Sequence, residues 1–326
     1  MGRVLRWLGV LVLFAIVGAL GVGFWGYTEY VQPGPLPADK VIVIPRGVGI
    51  ERIALSLARH KVIKVPLVLS MAARTVAADK PLQAGEFSFP KNVSPRGVLE
   101  ILQKGKQVVR RLTIAEGLTK TRILAILKNT EGLVGLVNAP LKEGELLPET
   151  YYFTFGDSRN ELAKRMQDGM NKALSRLWAR RAPNLPIANI EELLVLASIV
   201  EKETGQAAER ARVAGVFINR LRLNMRLQSD PTVSYGLTKG QGDLGRPLSR
   251  KDLKTPNPYN TYLIKGLPPG PIANPGRAAL EAVAHPADTG ELYFVADGSG
   301  GHAFARNLTE HNRNVAKWRK FQKSIK

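Results

Sequence analysis

Carboxylates are the side chains of this sequence whose setting could support catalysis. Glu201 and Glu203 stand near the end of an otherwise apolar predicted helix, with Lys202 between them. Two positions along a helix turn these side chains about 200° apart, so the two acids cannot face each other as a pair. A carboxyl group on an apolar face is partly desolvated, which raises its pKa towards neutrality. Such a group can keep its proton and donate it as a general acid, for example to a glycosidic oxygen.

Helical geometry does not indicate which of the two acids is catalytic. Glu201 follows Ala197 by one turn and lies on an apolar stripe, whereas Glu203 lies over Ile199 and Val200. The alternative is that both acids are solvated at a helix end, where negative charge is mildly unfavourable against the helix dipole. The residue pattern leaves the catalytic and the solvated interpretations open.

Other chemistries find no support in the sequence. It contains no cysteine, which excludes disulfides, thiolate zinc sites and a cysteine nucleophile. Its four histidines lack the spacing of a metal site such as H-E-x-x-H, and the G-x-S-x-G elbow of many serine hydrolases does not occur. We therefore expect the function to need neither a metal nor a cofactor.

The N-terminal residues predict the cellular compartment of the protein. Residues 7–27 form an uncharged apolar run that is long enough to cross the hydrocarbon core of a membrane as a helix. Arg3 and Arg6 precede the run, which predicts a cytoplasmic tail at residues 1–6 and export of the rest of the chain. A cleaved signal peptide is the alternative, but the bulky aromatic end of the run makes a poor cleavage site. We predict a single-pass protein of the inner (cytoplasmic) membrane with its bulk on the periplasmic, extracytoplasmic side.

The charge balance narrows the class of partner. The chain has 326 residues, with 47 Lys and Arg against 27 Asp and Glu, a net charge of +20. This favours a polyanionic partner such as nucleic acid, an anionic membrane face or an acidic cell-wall polymer. An exported domain meets the cell wall rather than a genome, so nucleic acid is not expected. The alternative is a charge that only keeps the chain soluble.

The hydrophobic periodicity and the capping residues predict an α+β protein. A Pro/Gly-rich linker at residues 28–38 joins the transmembrane helix to a small α+β domain at residues 39–130. A mainly helical domain with a β-hairpin follows at residues 131–326. Strands are predicted at 41–44, 85–89, 108–114 and in the hairpin 292–305, and helices at 50–58, 65–76, after Ser94, after Thr119, after Ser158, after Asn189, at 207–223 and after Pro275.

Residues 255–275 form a long predicted loop. A structureless stretch of about twenty residues inside a compact domain is usually functional or disordered. Tyr259, Tyr262 and several prolines argue against disorder. Aromatic rings can face the CH surfaces of sugars, and Asn260 can hydrogen-bond their hydroxyls, so the loop fits a sugar-binding wall. A proline-stiffened crossover is the alternative.

A series of short motifs runs in fixed order through the second half of the chain. They are Ala197-Ser198-Ile199-Val200-Glu201-Lys202-Glu203-Thr204, Glu209-Arg210, Leu227-Gln228, Asp230-Pro231-Thr232-Val233, Tyr235-Gly236, Tyr259-Asn260-Thr261-Tyr262 and Gly266-Leu267-Pro268-Pro269. Together they resemble the endolytic murein transglycosylase (YceG-like) family. The first domain resembles the LysM-like subdomain of that family less specifically. There, the stretch at 113–117 departs from the family's usual proline at Ala115.

The resemblance implies an enzyme, an endolytic lytic transglycosylase that cleaves MurNAc–GlcNAc bonds within peptidoglycan strands. It would leave 1,6-anhydroMurNAc ends and limit the length of nascent strands. Glu201 would act twice, first protonating the leaving oxygen and then taking the proton of the muramyl 6-hydroxyl that attacks the anomeric carbon. Because water is not the nucleophile, the second carboxylate of ordinary glycosidases is not required.

The resemblance also suggests substrate contacts and partners. The candidate substrate-binding residues are Gln228, Asp230, Tyr235, Tyr259, Asn260 and Tyr262. The expected partners are glycan strands, the membrane and penicillin-binding synthases of the wall. Two other classes stay open: a non-catalytic, membrane-anchored peptidoglycan-binding scaffold, and a nucleic-acid binder that uses the Arg-rich helix after Ala207.

Overall fold

A computed structural model describes residues 2–76, 78 and 80–324. Met1, predicted in the cytoplasmic tail, lies outside these residues. So do Ala77 and Asp79 in the predicted first domain and residues 325–326 at the end of the second. The described chain is a mixed α/β protein, mostly helical, with small two-stranded sheets.

The first helix, α1, runs over Gly2–Val31. Its segment Leu5–Val31 has a mean hydropathy of 2.4 in its most apolar window and is long and apolar enough to cross a membrane. Its large apolar side chains are exposed all round. A helix without a polar face needs an apolar environment, so α1 is consistent with the predicted membrane anchor.

The chain forms two compact units. The first contains the residues up to Arg110 together with Tyr152–Gly156. Its further elements are β1 (Lys40–Ile44), α2 (Ile50–Arg59), α3 (Pro66–Thr75), β2 (Gly85–Phe89) and α4 (Pro95–Lys104). β1 and β2 are antiparallel, with Lys40 opposite Phe89. As predicted, the Ser94 hydroxyl caps α4 by accepting a hydrogen bond from the Gly97 N–H.

The predicted linker packs closely against the first unit. The Gly34 N–H lies 3.2 Å from the carbonyl oxygen of Asn92 and 3.1 Å from that of Val93, and Leu36 is buried. A Cβ atom at Gly34 would lie 2.4 Å from two backbone oxygens, those of Val62 and Val93. Only glycine fits this close backbone approach. Separate folding of residues 39–130 and 131–326 stays a prediction.

The second unit contains residues 111–151 and those from Asp157 onwards. The strands β3 (Val109–Thr113) and β4 (Thr150–Thr154) pair in a two-stranded sheet. The helices are α5 (Lys120–Asn129), α6 (Arg159–Ala179), α7 (Ile190–Glu203), α8 (Arg210–Arg222), α9 (Asp230–Thr238), α10 (Arg277–Ala284) and α11 (Leu308–Ser324), and the hairpin is β5 (Tyr293–Ala296) with β6 (His302–Ala305). The sequence analysis did not predict β4 or α9.

Helix α7 forms the centre of the second unit. The side chain of Asn189 caps it, accepting a hydrogen bond from the Glu192 N–H at 2.8 Å. From Leu193 to Val200 every residue is buried, because α6, α8, α9 and α10 pack around the helix. Backbone at Thr204 is extended and ends the helix. The two acids therefore stand at the end of a helix fixed by packing on all sides.

We expect Gly34→Ala to lower the free energy of unfolding by about 1–3 kcal/mol, because the methyl group must displace two backbone carbonyls. Calorimetry of the purified full chain in detergent would show this as a lower Tm. Gly205→Ala is the matched control, since no atom lies within 4 Å of its added Cβ. An unchanged Tm for Gly34→Ala would contradict the close packing of residues 32–38.

Candidate active site

Glu201 lies partly buried at the C-terminal end of α7. Its Oε2 atom accepts a hydrogen bond from the backbone N–H of Gly276 at 3.0 Å. Burial raises the pKa of the Glu201 carboxyl group, and the negative charge of Glu116 raises it further. The Gly276 bond and the charges of Arg210 and Lys202 act in the opposite direction but do not cancel these effects. The surroundings of Glu201 thus shift its pKa in the direction that a general acid requires.

Glu116 is a site residue that the sequence analysis missed. A Cβ atom at Gly276 would come within 1.7 Å of Glu116 Oε1, so the Glu116 carboxylate lies directly over the glycine that binds Glu201. Backbone hydrogen bonds fix this arrangement. Gly117 donates to the carbonyl of Asn274, and Asn274 donates to that of Leu118, both at 2.9 Å. The only sequence signal was the position of Glu116 in a stretch that resembles a family motif.

A cleft of about 390 Å³ lies beside the end of α7. One wall is formed by α9 and the other by the loop before α5 and the end of α7. Its lining includes Gly117, Lys202, Asp230, Tyr235, Arg246 and Ile272. Glu201 lies at the edge, because a Cβ on Gly117 would be 3.6 Å from Glu201 Cγ.

The structure brings two of the predicted substrate contacts into the cleft wall, Asp230 and Tyr235. The hydroxyl of Tyr262 donates to Asp230 Oδ1 at 2.6 Å, so Tyr262, a third predicted contact residue, binds Asp230 directly. The Tyr235 ring packs against the ring of Tyr259 with centroids 4.9 Å apart, and its hydroxyl donates to Glu143 at 3.3 Å. Tyr235 and Tyr259 thus form an aromatic pair between α9 and the loop at residues 255–275.

Two predicted contacts are placed differently. Asn260 is fully buried. Its amide group donates to carbonyl oxygens of its own loop, including that of Thr255 at 2.9 Å, and its Oδ1 accepts from the Tyr262 N–H. It closes the loop and has no face open to a sugar. Gln228 is exposed just before α9, with the left-handed φ of 51° that is costly for a residue with a side chain.

Glu203, the other acid of the motif, points into the protein. Its Oε1 lies 2.5 Å from the hydroxyl oxygen of Ser229. Burial raises the pKa of Glu203 to about 7, and the nearby charge of Asp230 adds to this effect. The carboxyl group is therefore predominantly uncharged below neutral pH. The structure thus gives the two acids different partners: Glu203 is bound by the Ser229 hydroxyl, whereas Glu201 is bound by the Gly276 N–H and lies beside Gly117, a residue of the cleft lining.

Comparison with known proteins shows several similarities. A family model described as the YceG-like family matches residues 42–317. Two Streptococcus pneumoniae proteins and one from Bacillus subtilis, each named "Endolytic murein transglycosylase", are 31% identical to this chain. The alignments cover 94% of this chain and 64% of each pneumococcal protein, and 85% of this chain and 84% of the Bacillus protein. The chain therefore spans just under two thirds of the length of the pneumococcal relatives.

A solved structure is also similar. The crystal structure of a YceG-like protein from Listeria monocytogenes has a TM-score of 0.52 and 30% sequence identity. The match covers 85% of this chain and 99% of the Listeria chain. Similarity of fold thus extends well beyond the motifs around the two acids.

We expect Glu116→Gln to lower the pKa of Glu201, because it removes a negative charge that favours the protonated acid. A ¹³C NMR titration of the Glu201 carboxyl carbon would measure this shift. Glu191→Gln is the control, since it removes an exposed acid from the opposite end of the same helix. A Glu201 pKa that is equal in both variants and the parent protein would contradict the electrostatic contact.

We expect Glu203→Gln to make the protein more stable relative to the parent as the pH rises. In the parent, the stability of the uncharged buried acid is fully present below the unfolded pKa of about 4.5. It is lost as the pH rises through the folded pKa of about 7. Urea denaturation at pH 5 and pH 8 should show the difference between the two proteins growing by up to about 3 kcal/mol in favour of the variant. A difference that does not change with pH would show that the carboxyl group is solvated.

Proposed function

We propose the function of this chain from one premise, that it belongs to the YceG-like family. We infer that it is an endolytic peptidoglycan lytic transglycosylase, a lyase that cleaves MurNAc–GlcNAc bonds within glycan strands. The observation that carries the proposal is Glu201: a desolvated acid at the edge of an open cleft, with one backbone N–H directed at its carboxyl group. The names of the relatives support the substrate and the reaction class.

In the first step, Glu201 donates its proton to the glycosidic oxygen as the bond to the muramyl anomeric carbon breaks. The raised pKa matters here, because an acid must still hold its proton near neutral pH to donate it. The negative charge of Glu116 helps to keep that proton in place.

In the second step, the Glu201 carboxylate removes the proton from the muramyl 6-hydroxyl. The hydroxyl oxygen then attacks the anomeric carbon and closes the 1,6-anhydro ring. The Gly276 N–H stabilises the carboxylate between the two steps, and Arg210 and Lys202 lie near enough to lower its energy. Glu201 is protonated again at the end, so one acid completes the cycle and no metal or cofactor is needed.

The cleft supplies the substrate contacts in this proposal. Asp230, held by the Tyr262 hydroxyl, would accept hydrogen bonds from sugar hydroxyls. The aromatic pair of Tyr235 and Tyr259 offers ring faces to the apolar faces of sugars. The exposed Gln228, in its strained backbone conformation, is retained as a contact. Asn260 is retained only as the residue that shapes the loop.

The remaining parts of the chain fit a protein that works on nascent wall at the membrane. We assign α1 as a single membrane span, with the rest of the chain after it on the extracytoplasmic side. The order β1, α2, α3, β2 in the first unit supports a LysM-like subdomain that holds glycan strands. Cleavage close to the membrane would limit the length of new strands. Peptidoglycan synthases are the expected partners.

The test is mass spectrometry of products from purified glycan strands treated with the purified full chain. We expect products that end in 1,6-anhydroMurNAc, and a loss of about 10²–10⁴-fold in rate for Glu201→Gln, the usual contribution of general acid–base catalysis. The control Glu191→Gln should keep full activity. Full activity of Glu201→Gln would contradict the proposed mechanism.

Two further outcomes are informative. Hydrated reducing ends in place of anhydro ends would make the enzyme a hydrolase. Binding of strands without cleavage by the parent protein would favour the non-catalytic scaffold.

A further inference from the structure

Glu203 has no part in the chemistry proposed for Glu201, yet its contact with Ser229 has an unusual setting. Ser229 is buried, and its backbone is already bound. Its N–H donates to the Thr261 hydroxyl oxygen at 2.9 Å, and its carbonyl accepts from the Thr232 hydroxyl at 2.7 Å. The Ser229 hydroxyl group is therefore the polar group that can still bind another residue. It donates a hydrogen bond to Glu203 Oε1.

Ser229 also gives up a local hydrogen bond to make this contact. It occupies the N-cap position of α9, where a serine hydroxyl usually accepts a hydrogen bond from a backbone N–H of the first turn. Here the side chain makes no capping hydrogen bond. The hydroxyl is turned instead towards the end of α7, so the contact joins two helices rather than completing one.

The two helices that it joins form opposite parts of the cleft. Helix α9 begins with Asp230 and also contributes Tyr235 to the wall, while the end of α7 contributes Lys202 and holds Glu201 at the edge. The distance between the acid and the substrate wall therefore depends on the contact between Glu203 and Ser229.

We propose that Glu203 is a positioning residue: its carboxyl group accepts the hydrogen bond of the Ser229 hydroxyl and so fixes the wall that carries Asp230 relative to Glu201. This inference rests on the proposed function, because the wall matters only if the cleft takes a substrate.

The charged and titratable groups that face Glu203 act on it in both directions: Asp230 disfavours the charged form, Arg220 and His302 favour it, and burial, which disfavours it, is the largest effect. These groups are Asp230 on α9, Arg220 on α8, His302 on β6 and Tyr262 in the loop before α10. Arg220 donates to the backbone carbonyls of Leu292 and Leu227. The Nδ1 atom of His302 lies 2.8 Å from Glu209 Oε2. Among the described residues no cation makes a hydrogen bond to Glu203.

Ionisation of Glu203 would strengthen the hydrogen bond from Ser229 itself, but the larger cost of burying the charge opposes it, so we expect the net result to be a looser contact. The charged form could stay in place only as a desolvated carboxylate next to the negative Asp230. Separation of the two helices would let water reach both carboxylates and relieve this cost. Since the pKa of Glu203 is about 7, we expect the change near neutral pH.

The experiment compares pH profiles of cleavage by the full chain and three variants. Glu203→Gln can still bind Ser229 but cannot ionise, so we expect activity within about threefold of the parent at pH 6 and a smaller loss than the parent at pH 8.5. Glu203→Ala and Ser229→Ala break the contact, and we expect KM to rise about tenfold at pH 6 with a smaller change in kcat. Ser70→Ala, which removes another buried serine hydroxyl from the first unit, is the control and should leave both constants unchanged.

Two kinetic results would overturn the inference. One is an alkaline loss of activity in Glu203→Gln identical to that of the parent. The other is inactivation of Glu203→Gln at pH 6 to the level of Glu201→Gln, which would make Glu203 a catalytic acid.

A second measurement separates this inference from the proposed function. The ¹³C shift of the Asp230 carboxyl carbon should show a step near pH 7 in the parent that is absent from Glu203→Gln. This holds even if the parent protein cleaves no glycan, which would refute only the proposed function. A parent protein without the step would refute the role of Glu203 whatever the activity.

Discussion

Desolvation at the C-terminal end of α7 is the constraint on which the candidate site depends. The helix is buried over eight consecutive residues, from Leu193 to Val200. Glu201 and Glu203, at the end of this helix, are therefore partly desolvated. The helix dipole also disfavours negative charge at this end. Each carboxyl group receives one hydrogen bond that could support a charge, from Gly276 or from Ser229. One donor is too few to offset burial, so the pKa values of both acids are raised.

The difference between the two acids comes from what packs around them. Glu201 faces the loops at residues 116–118 and 274–276, of which Gly117 lines the cleft. Glu203 is bound by Ser229 at the start of α9, and the charges that act on it come from α8, α9 and β6. The same desolvation therefore supports a reactive acid on one side of α7 and an internal hydrogen bond on the other. A helix end surrounded by unequal neighbours can give two adjacent acids separate tasks.

The sequence predicted the regular elements where local chemistry decides them. The capping residues Ser94, Ser158 and Asn189 make the expected hydrogen bonds, and the alternating residues of β1 and β2 form the expected strands. It did not predict α9, a nine-residue helix with Pro231 and Gly236, since its stability comes from packing against α7 rather than from helix propensity.

The site itself was only partly predictable. Glu201 and Glu203 both stood out because a charged residue in an apolar helix breaks the local pattern, and the family resemblance then selected Glu201. Glu116 did not stand out, because its place beside Glu201 depends on backbone hydrogen bonds between segments far apart in the chain.

The loop at residues 255–275 shows why residue type alone misleads at such a site. Asn260 was chosen because an amide can bind a sugar, but the same amide satisfies carbonyl groups that a buried loop would otherwise leave without partners. Asn274 does the same, binding the Leu146 N–H and the Leu118 carbonyl. These buried amides let the loop hold Tyr259 and Tyr262 in fixed positions. The buried hydrogen bonds of this segment fit the crossover posed from the sequence, and they would also make it rigid enough to serve as a binding wall, which stays a prediction.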